Sequence, residues 1–331
     1  MSDVVTFGEI MLRLSPPGRQ RFVQAPHFEI TFGGAEANVA VMLAQLGASA
    51  GFVTRLPENE LAQRALNELR GLGVGVEQVV RGGERMGVYF LEQGASQRAG
   101  KVIYDRANSA IAAAQPGDFD WPRILAGAQW LHWSGITPAL STTASTIVAE
   151  ACVAAKQRGL TVSFDLNYRA KLWSREVAGQ TLAPLMEHVD LCITSVEEAR
   201  TVFGLECAAV NREEDAARRL HERFGFKTIA LTMRSAETAD SANWGAMLFV
   251  GGKACFSKRY EIAIVDRVGA GDSFTGALIF ALRRGDDPQR ALDFAVAASA
   301  LKHTLPGDYA LLTLPEVEAL AAGAGGGRVQ R

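Results

Sequence analysis

Short strand-like apolar runs alternate with helix-spaced ones along most of the chain. Val4–Gly8 reads as a buried strand, and after a polar loop Ala37–Leu46 carries apolar residues at 39, 42, 43 and 46, a helical spacing closed by Gly47. Further strand signals fall at Ala50–Thr54, Gln129–Trp133, Thr161–Asp165, Asp190–Thr194 and Thr228–Thr232. Between them lie helical patterns through Leu61, Ala65, Leu69 and Leu72, over Thr142–Gln157 and over Glu213–Phe224. Strands joined through helices pair in parallel, and such a sheet needs covering on both faces. The expected fold class is therefore α/β, three layers with a mostly parallel central sheet flanked by helices.

One region breaks the rhythm. Gly87–Glu92 and Lys101–Arg106 are two strand-like runs bridged by the polar stretch Gln93–Gly100, with no helix between them. They predict a small β flap, or lid, inserted at about 87–106 in a domain spanning 1–320. A two-stranded ribbon cannot bury Val88, Phe90, Leu91, Val102 and Ile103 against itself, so the lid closes over a ligand or pairs with a second copy of the chain. Residues 321–331, rich in Ala and Gly with a basic end, read as a flexible tail.

Composition narrows the partner. With 34 Lys and Arg against 36 Asp and Glu, the net charge of -2 provides no field to gather nucleic acid or an acidic membrane surface. A small-molecule partner is expected. Apolar residues at 48% and charged residues at 21% exclude disorder and coiled coil. The four cysteines, Cys152, Cys192, Cys207 and Cys255, form no metal-site spacing and read as buried reduced thiols. The start of the chain carries no signal-peptide pattern, so the expected location is cytoplasmic.

Three stretches carry chemistry. The first, Asp266-Arg267-Val268-Gly269-Ala270-Gly271-Asp272-Ser273-Phe274, leads into an apolar helix. Glycines there let a ligand approach the backbone, and the free N–H groups of a helix start suit an anion such as phosphate. An acid beside phosphate needs a reason: Asp272 can take the proton of a hydroxyl as that hydroxyl attacks the phosphate. The dinucleotide pattern fails because Phe274 stands at its third glycine, and the nearest P-loop candidate, Gly94–Val102, has one residue too many. The second stretch is Gly33-Gly34-Ala35-Glu36-Ala37-Asn38, where paired glycines admit a polar ligand and Asn38 offers donor and acceptor. The third, Asp165-Leu166-Asn167-Tyr168-Arg169, lies at the carboxyl end of a strand, the edge where open α/β sheets bind ligands. Arg169 can clamp a phosphate or a carboxylate there.

Together and in this order, the three stretches resemble the ribokinase-like sugar kinases of the phosphofructokinase B type, over about Val4–Leu320. The resemblance implies a sugar hydroxyl phosphorylated by ATP with Mg2+. Asp272 is then the base, and Gly269, Ala270 and Gly271 form the anion hole. Asn167, Ser195, Thr232 and Arg234 fall on the ATP side, and Glu198 is implied to act on the metal through water. Two departures stand out: Ser195 replaces the asparagine of the family's N-x-x-E, and Thr232-Met233-Arg234-Ser235 lacks the usual glycine of the nucleotide loop.

Within that family the finer resemblance is to members acting on 2-keto-3-deoxygluconate. It rests on Phe7–Leu14, on Tyr89 and Tyr104-Asp105-Arg106, on Arg267 in place of a threonine, and on Pro306-Gly307-Asp308-Tyr309. Neutral-sugar members resemble one another in an acid five residues after the first-strand glycine, where this chain has Arg13. The implied sugar-acid site comprises Gly33, Gly34, Asn38, Tyr89, Tyr104, Arg106, Arg169 and Asp308, with the two arginines meeting the carboxylate. A neutral-sugar kinase and a non-catalytic sugar-binding homologue are the alternatives, and a homodimer through the lid is expected.

Overall fold

The computed structural model of the protein describes residues 2–236 and 238–324. Its middle layer is a nine-stranded sheet whose order from one edge is Lys253–Phe256, Ser241–Val250, Thr228–Ala236, Leu191–Thr194, Thr161–Asp165, Trp130–Ser134, Val4–Phe7 and Ala50–Val53, with Tyr260–Ala263 pairing beside Ser241–Val250. From Ala50–Val53 to Thr228–Ala236 every pairing is parallel. The last strands return antiparallel, an edge the helix-strand rhythm does not signal.

Each face of the sheet buries its own core. One gathers Leu43, Phe52, Leu69, Phe274 and Phe294 under the helices Ala35–Gln45, Glu60–Gly71, Ala270–Arg284 and Pro288–Lys302. The other gathers Trp133, Phe164, Leu182, Leu220 and Phe226 under Thr142–Gln157, Arg175–Leu182, Val196–Phe203 and Arg212–Phe224. Three layers result, because strands buried on both faces need apolar cover on both. Two cysteines, Cys152 and Cys192, are buried thiols as expected, whereas Cys207 and Cys255 are only partly buried.

The flap is larger than two strands. Gly87–Glu92 and Lys101–Asp105 pair antiparallel, and Met11–Ser15 and Glu29–Gly33 extend them into a four-stranded sheet. Alternation divides its faces: Met11, Tyr89, Leu91, Val102 and Tyr104 cluster on one side, and Phe28, Ile30, Phe90 and Ile103 stand on the other, where Ile103 is 54% exposed. The tail begins after the helix Leu314–Ala321, and residues 325–331 lie outside the described residues. No helix among the described residues is long and apolar enough to cross a membrane.

Helix starts set up the site. Asn59, Ser141, Ser174, Ser195 and Asp287 each accept a first-turn N–H of the helix they precede. Gly34 and Gly269 have no side chain to do so and leave their helix starts uncapped. The helices that follow them pack closely at Gly276, where an added Cβ meets Met42 Cβ at 2.9 Å and the Val39 carbonyl at 3.1 Å. Gly276→Val is therefore expected to cost about 1–3 kcal/mol of stability as overpacking, and to lower turnover by separating the helices that carry Asn38 and Asp272. Urea denaturation and a turnover assay on the same preparation check both.

Candidate active site

A cleft of about 790 Å³ opens at the carboxyl ends of the parallel strands, beneath the small sheet. Every site residue singled out in the sequence lines it: Gly33, Gly34, Asn38, Tyr89, Tyr104, Arg106, Asn167, Arg169, Ser195, Glu198, Thr232, Arg234, Gly269, Ala270, Gly271, Asp272 and Asp308.

Gly269 occupies a left-handed backbone position, φ 80°, and an added Cβ would stand 1.9 Å from the Asp308 carbonyl oxygen. Only glycine fits. The turn it makes starts the helix Ala270–Arg284 with no side-chain cap, and at Gly271 a Cβ would meet nothing within 4 Å. The Ala270 N–H reaches the Arg267 carbonyl at 3.4 Å and the Ser273 N–H the Gly269 carbonyl at 2.8 Å, which leaves the Gly271 and Asp272 N–H groups for an anion at the positive end of the helix dipole.

Asp272 sits in the same turn and accepts from Asn38 Nδ2 at 2.6 Å, while the Gly34 N–H donates to Asn38 Oδ1 at 3.4 Å. Desolvation pushes the Asp272 carboxyl up to about 7, against the Asn38 hydrogen bond and Arg169, with Glu36 and Asp308 adding to the rise. A carboxylate poised near neutrality suits a general base. His303 also lines the cleft, but burial holds its imidazole down at about 4, and its Nδ1 pairs with the Ser299 carbonyl at 2.7 Å.

On the nucleotide side the unexpected Ser195 has a local explanation. It caps the helix Val196–Phe203 in a reciprocal box with Glu198, whose N–H donates to Ser195 Oγ at 3.2 Å. Glu198 Oε1 accepts the Tyr168 N–H at 3.1 Å and Oε2 accepts Ser195 Oγ at 3.0 Å. Asp165 faces the same cleft, and burial, Glu198 and Asp272 hold its carboxyl well above the ordinary aspartate range. The three acids repel one another there, a field that favours a cation. No group of three His, Cys, Asp or Glu among the described residues holds a metal directly. Glu198 and Asp165 are the acids that would hold a magnesium ion arriving with ATP, whose chemistry there would be to neutralise phosphate charge. Arg234 lies beside Arg267, and burial together with that neighbour pulls it below the ordinary arginine range. Two adjacent guanidiniums in the cleft favour phosphate. Asp165 and Arg267 have no role legible in the sequence, and only the fold brings them to the cleft.

On the sugar side three arginines differ in what they leave free. Arg13 is 3% exposed and bonds Asp266 at 2.6 Å and Asp308 at 2.7 Å. Burial works against its charge, yet Asp308 and Asp266 hold its pKa above the ordinary arginine value. Arg13 stands where neutral-sugar members carry an acid, but its charge is matched by two carboxylates and it does not line the cleft, so it does not itself select against a neutral sugar. Arg106 does line it, with Nε and Nη2 both turned onto Glu9 Oε2. Glu9 takes two of the five N–H donors of Arg106, the Nε–H and one on Nη2, and the Nη1–Nη2 edge keeps donors for a ligand. Arg169 is exposed, with one bond to the neighbouring Tyr168 carbonyl at 3.3 Å. Tyr89 Oη donates to Asp308 at 2.7 Å, and the Tyr104 ring lies beside it, tilted by 34° with centroids 6.1 Å apart.

Such a cleft, with an anion-binding helix start, a tuned carboxylate and a polar pocket under a β lid, is that of a sugar-phosphorylating enzyme. The chain belongs to the pfkB family of carbohydrate kinases, which it matches over residues 1–314. It is 51% identical to a solved 2-dehydro-3-deoxygluconokinase from Thermotoga maritima, with a TM-score of 0.95 over 97% of this chain and 98% of that one. It is 38% identical to the 2-dehydro-3-deoxygalactonokinase of Haloferax volcanii over 98% of each chain. The same fold, at a TM-score of 0.83 and 24% identity, is found in a putative ribokinase II from E. coli solved with ATP and Mg2+, over 98% of this chain and 100% of that one.

A base with a pKa of about 7 must be deprotonated to act, so kcat/KM is expected to rise with pH through about 7 and level off above it. Asp272→Asn should retain the fold and ATP binding and lose about 10²–10⁴-fold in kcat, with the acid limb of the profile gone. A pH series on both proteins reads this.

Proposed function

We propose that the chain transfers the γ-phosphoryl group of ATP to the terminal primary hydroxyl of 2-keto-3-deoxygluconate, giving 2-keto-3-deoxy-6-phosphogluconate. The observation that carries the reading is the Asp272 carboxylate, held by Asn38 beside an uncapped helix N-terminus under a lid. Asp272 takes the hydroxyl proton as the new O–P bond forms and the bond to ADP breaks. The Gly271 and Asp272 N–H groups meet the charge on the transferred group. Magnesium bound with ATP would supply further neutralisation of phosphate charge, with Glu198 and Asp165 the acids that face it. Arg234 and Arg267 support the polyphosphate. An acid sugar is favoured by Arg169, which is exposed and spends one donor on the Tyr168 carbonyl, and by the remaining donors of Arg106; two relatives carry the names of sugar-acid kinases. The relative named for the galacto acid favours a second reading, in which the C4 epimer is also accepted. An ATP-consumption assay over both epimers, their neutral counterparts, fructose and ribose tests the choice.

Truncating Arg106 alone would leave Glu9, 2% exposed, with Ser109 Oγ but without its cationic partner. The clean variants are therefore Arg169→Met and the paired replacement Glu9→Gln with Arg106→Met. If these arginines meet the carboxylate, each variant should raise KM for the sugar acid about ten- to a hundredfold, since a lost charge-assisted bond costs about 1.5–3 kcal/mol. KM for ATP should stay within about threefold. Unchanged KM for the acid would remove them from the sugar site.

The domain reading is a single kinase domain over 1–320 with a lid containing 87–106, operating in the cytoplasm. The exposed side of the lid, with Phe28, Ile30 and Ile103 at 36%, 39% and 54% exposure, is read as the surface that pairs two copies. Light scattering at micromolar concentration should give twice the chain mass, and Ile103→Asp should give the monomer; a monomeric parent would end this reading.

A further inference from the structure

The end of the helix Pro288–Lys302 holds a cation that the chemistry above does not use. Lys302 is 0% exposed, and its Nζ donates to the Leu305 carbonyl at 3.2 Å. A lysine removed from water needs negative charge around it. Leu305 supplies a carbonyl past the C-terminal end of the helix, where the dipole favours a cation. The rest comes from the fields of Asp266 and Asp308, both buried, which favour the ammonium against the burial and the Arg13 charge that pull Lys302 below the ordinary lysine range. Arg13 bonds both, and two carboxylates against one guanidinium leave one negative charge, which an ammonium cancels.

The same helix end supports the anion-binding turn. Ser299 Oγ donates to the Ala270 carbonyl at 2.7 Å, and the Val265 and Asp266 N–H groups donate to the His303 carbonyl at 2.8 and 3.2 Å. Asp266 in turn accepts from the N–H groups of Val268 at 3.0 Å and Gly307 at 3.2 Å. Asp308 presses its backbone carbonyl against Gly269. The turn that binds phosphate and the turn that carries Asp308 are thus both built around one buried group of charges.

We infer that Lys302 is a positioning residue for phosphoryl transfer: its ammonium, fixed by the Leu305 carbonyl behind the 266–272 turn, completes the Arg13–Asp266–Asp308 group. It thereby holds the Gly271 and Asp272 N–H groups in place and adds fixed positive potential beneath the transferred phosphoryl group. A cation already in place needs no reorganisation when charge develops. The inference rests on the kinase reading and not on which sugar is used.

The test replaces the charge while preserving the shape. Lys302→Met should fold, keep KM for ATP and sugar within about threefold of the parent, and lose roughly 10–100-fold in kcat, less than loss of a direct N–H donor. The pH profile separates this from a merely structural effect. The charged groups acting on Lys302 are Asp266, Asp308, Asp272 and Arg13; those acting on Asp272 from its surroundings include Arg169, Glu36 and Asp308. Deleting the ammonium leaves Asp272 with less positive charge nearby, so the acid limb of kcat/KM should move to higher pH. His303, held low partly by Lys302, remains neutral through this range. In Lys302→Ala, millimolar methylammonium should restore at least about tenfold of the lost kcat, and tetramethylammonium, too large for the space, should not. The proposal is overturned by a kcat within twofold of the parent, by an acid limb that does not move, or by a folded Ala variant that methylammonium leaves inactive. It is also overturned if every replacement unfolds, for Lys302 is then a folding residue only. Parent turnover, measured alongside, reports on the kinase reading separately.

Discussion

The hydrogen bond from Asn38 to Asp272 joins residues 234 positions apart, and the working geometry of the cleft depends on it. It sets the rotamer of the proposed base, and it links two helix starts that lack side-chain caps, one beside the proposed sugar site and one beside the proposed phosphate site. The helices reach each other because Gly276 presents no side chain to Met42 and Val39. Their approach also desolvates the Asp272 carboxyl and raises it to about 7, so packing and chemistry come from one contact. An ordinary capping aspartate would instead bond the N–H groups of its own helix and leave nothing for a phosphate.

Buried charge ties the lid to the body. Arg13 and Tyr89 belong to the small sheet, and both bond Asp308, which belongs to the turn touching Gly269. Glu9, between the first strand and the lid, holds Arg106 and Ser109. Glu36, buried and pushed above the ordinary glutamate range by desolvation, accepts from Ser134 and Thr137 at the neighbouring strand end and fits only because position 8 is glycine. Each such group costs desolvation and is strongly disrupted by loss of one partner, so the lid is held in register with the phosphate turn through shared partners.

The alternating strands and helices were legible in the sequence because their periodicity is local. The boundaries of Thr142–Gln157, Thr161–Asp165 and Gly87–Glu92 agree residue for residue. The glycine turns and Asp272 were legible because a helix start without a cap is written in consecutive residues. What escaped depends on distant partners. Met11–Ser15 looks like a loop continuation of the first strand until Glu29–Gly33 and Gly87–Glu92 pair with it. The partners of Arg13 lie 253 and 295 positions away, so its role as a buried counter-ion has no local signature. Arg106 was readable as a cation near the sugar, but not as one already held by Glu9, 97 positions earlier. Ser195 looked like a lost ligand when compared with the family's asparagine, and its three-residue spacing to Glu198 was the available sign of a helix cap.

The proposed reaction is phosphorylation of an acid sugar at its far hydroxyl, with the Asp272 carboxylate as base. The most direct measurement is a competition: the enzyme receives equimolar 2-keto-3-deoxygluconate and fructose with limiting ATP and magnesium, and the products are read by phosphorus and carbon NMR. One dominant phosphate monoester is expected, coupled to the terminal primary carbon of the sugar acid. A product dominated by fructose phosphate, or a phosphate on any other hydroxyl of the acid, would contradict it.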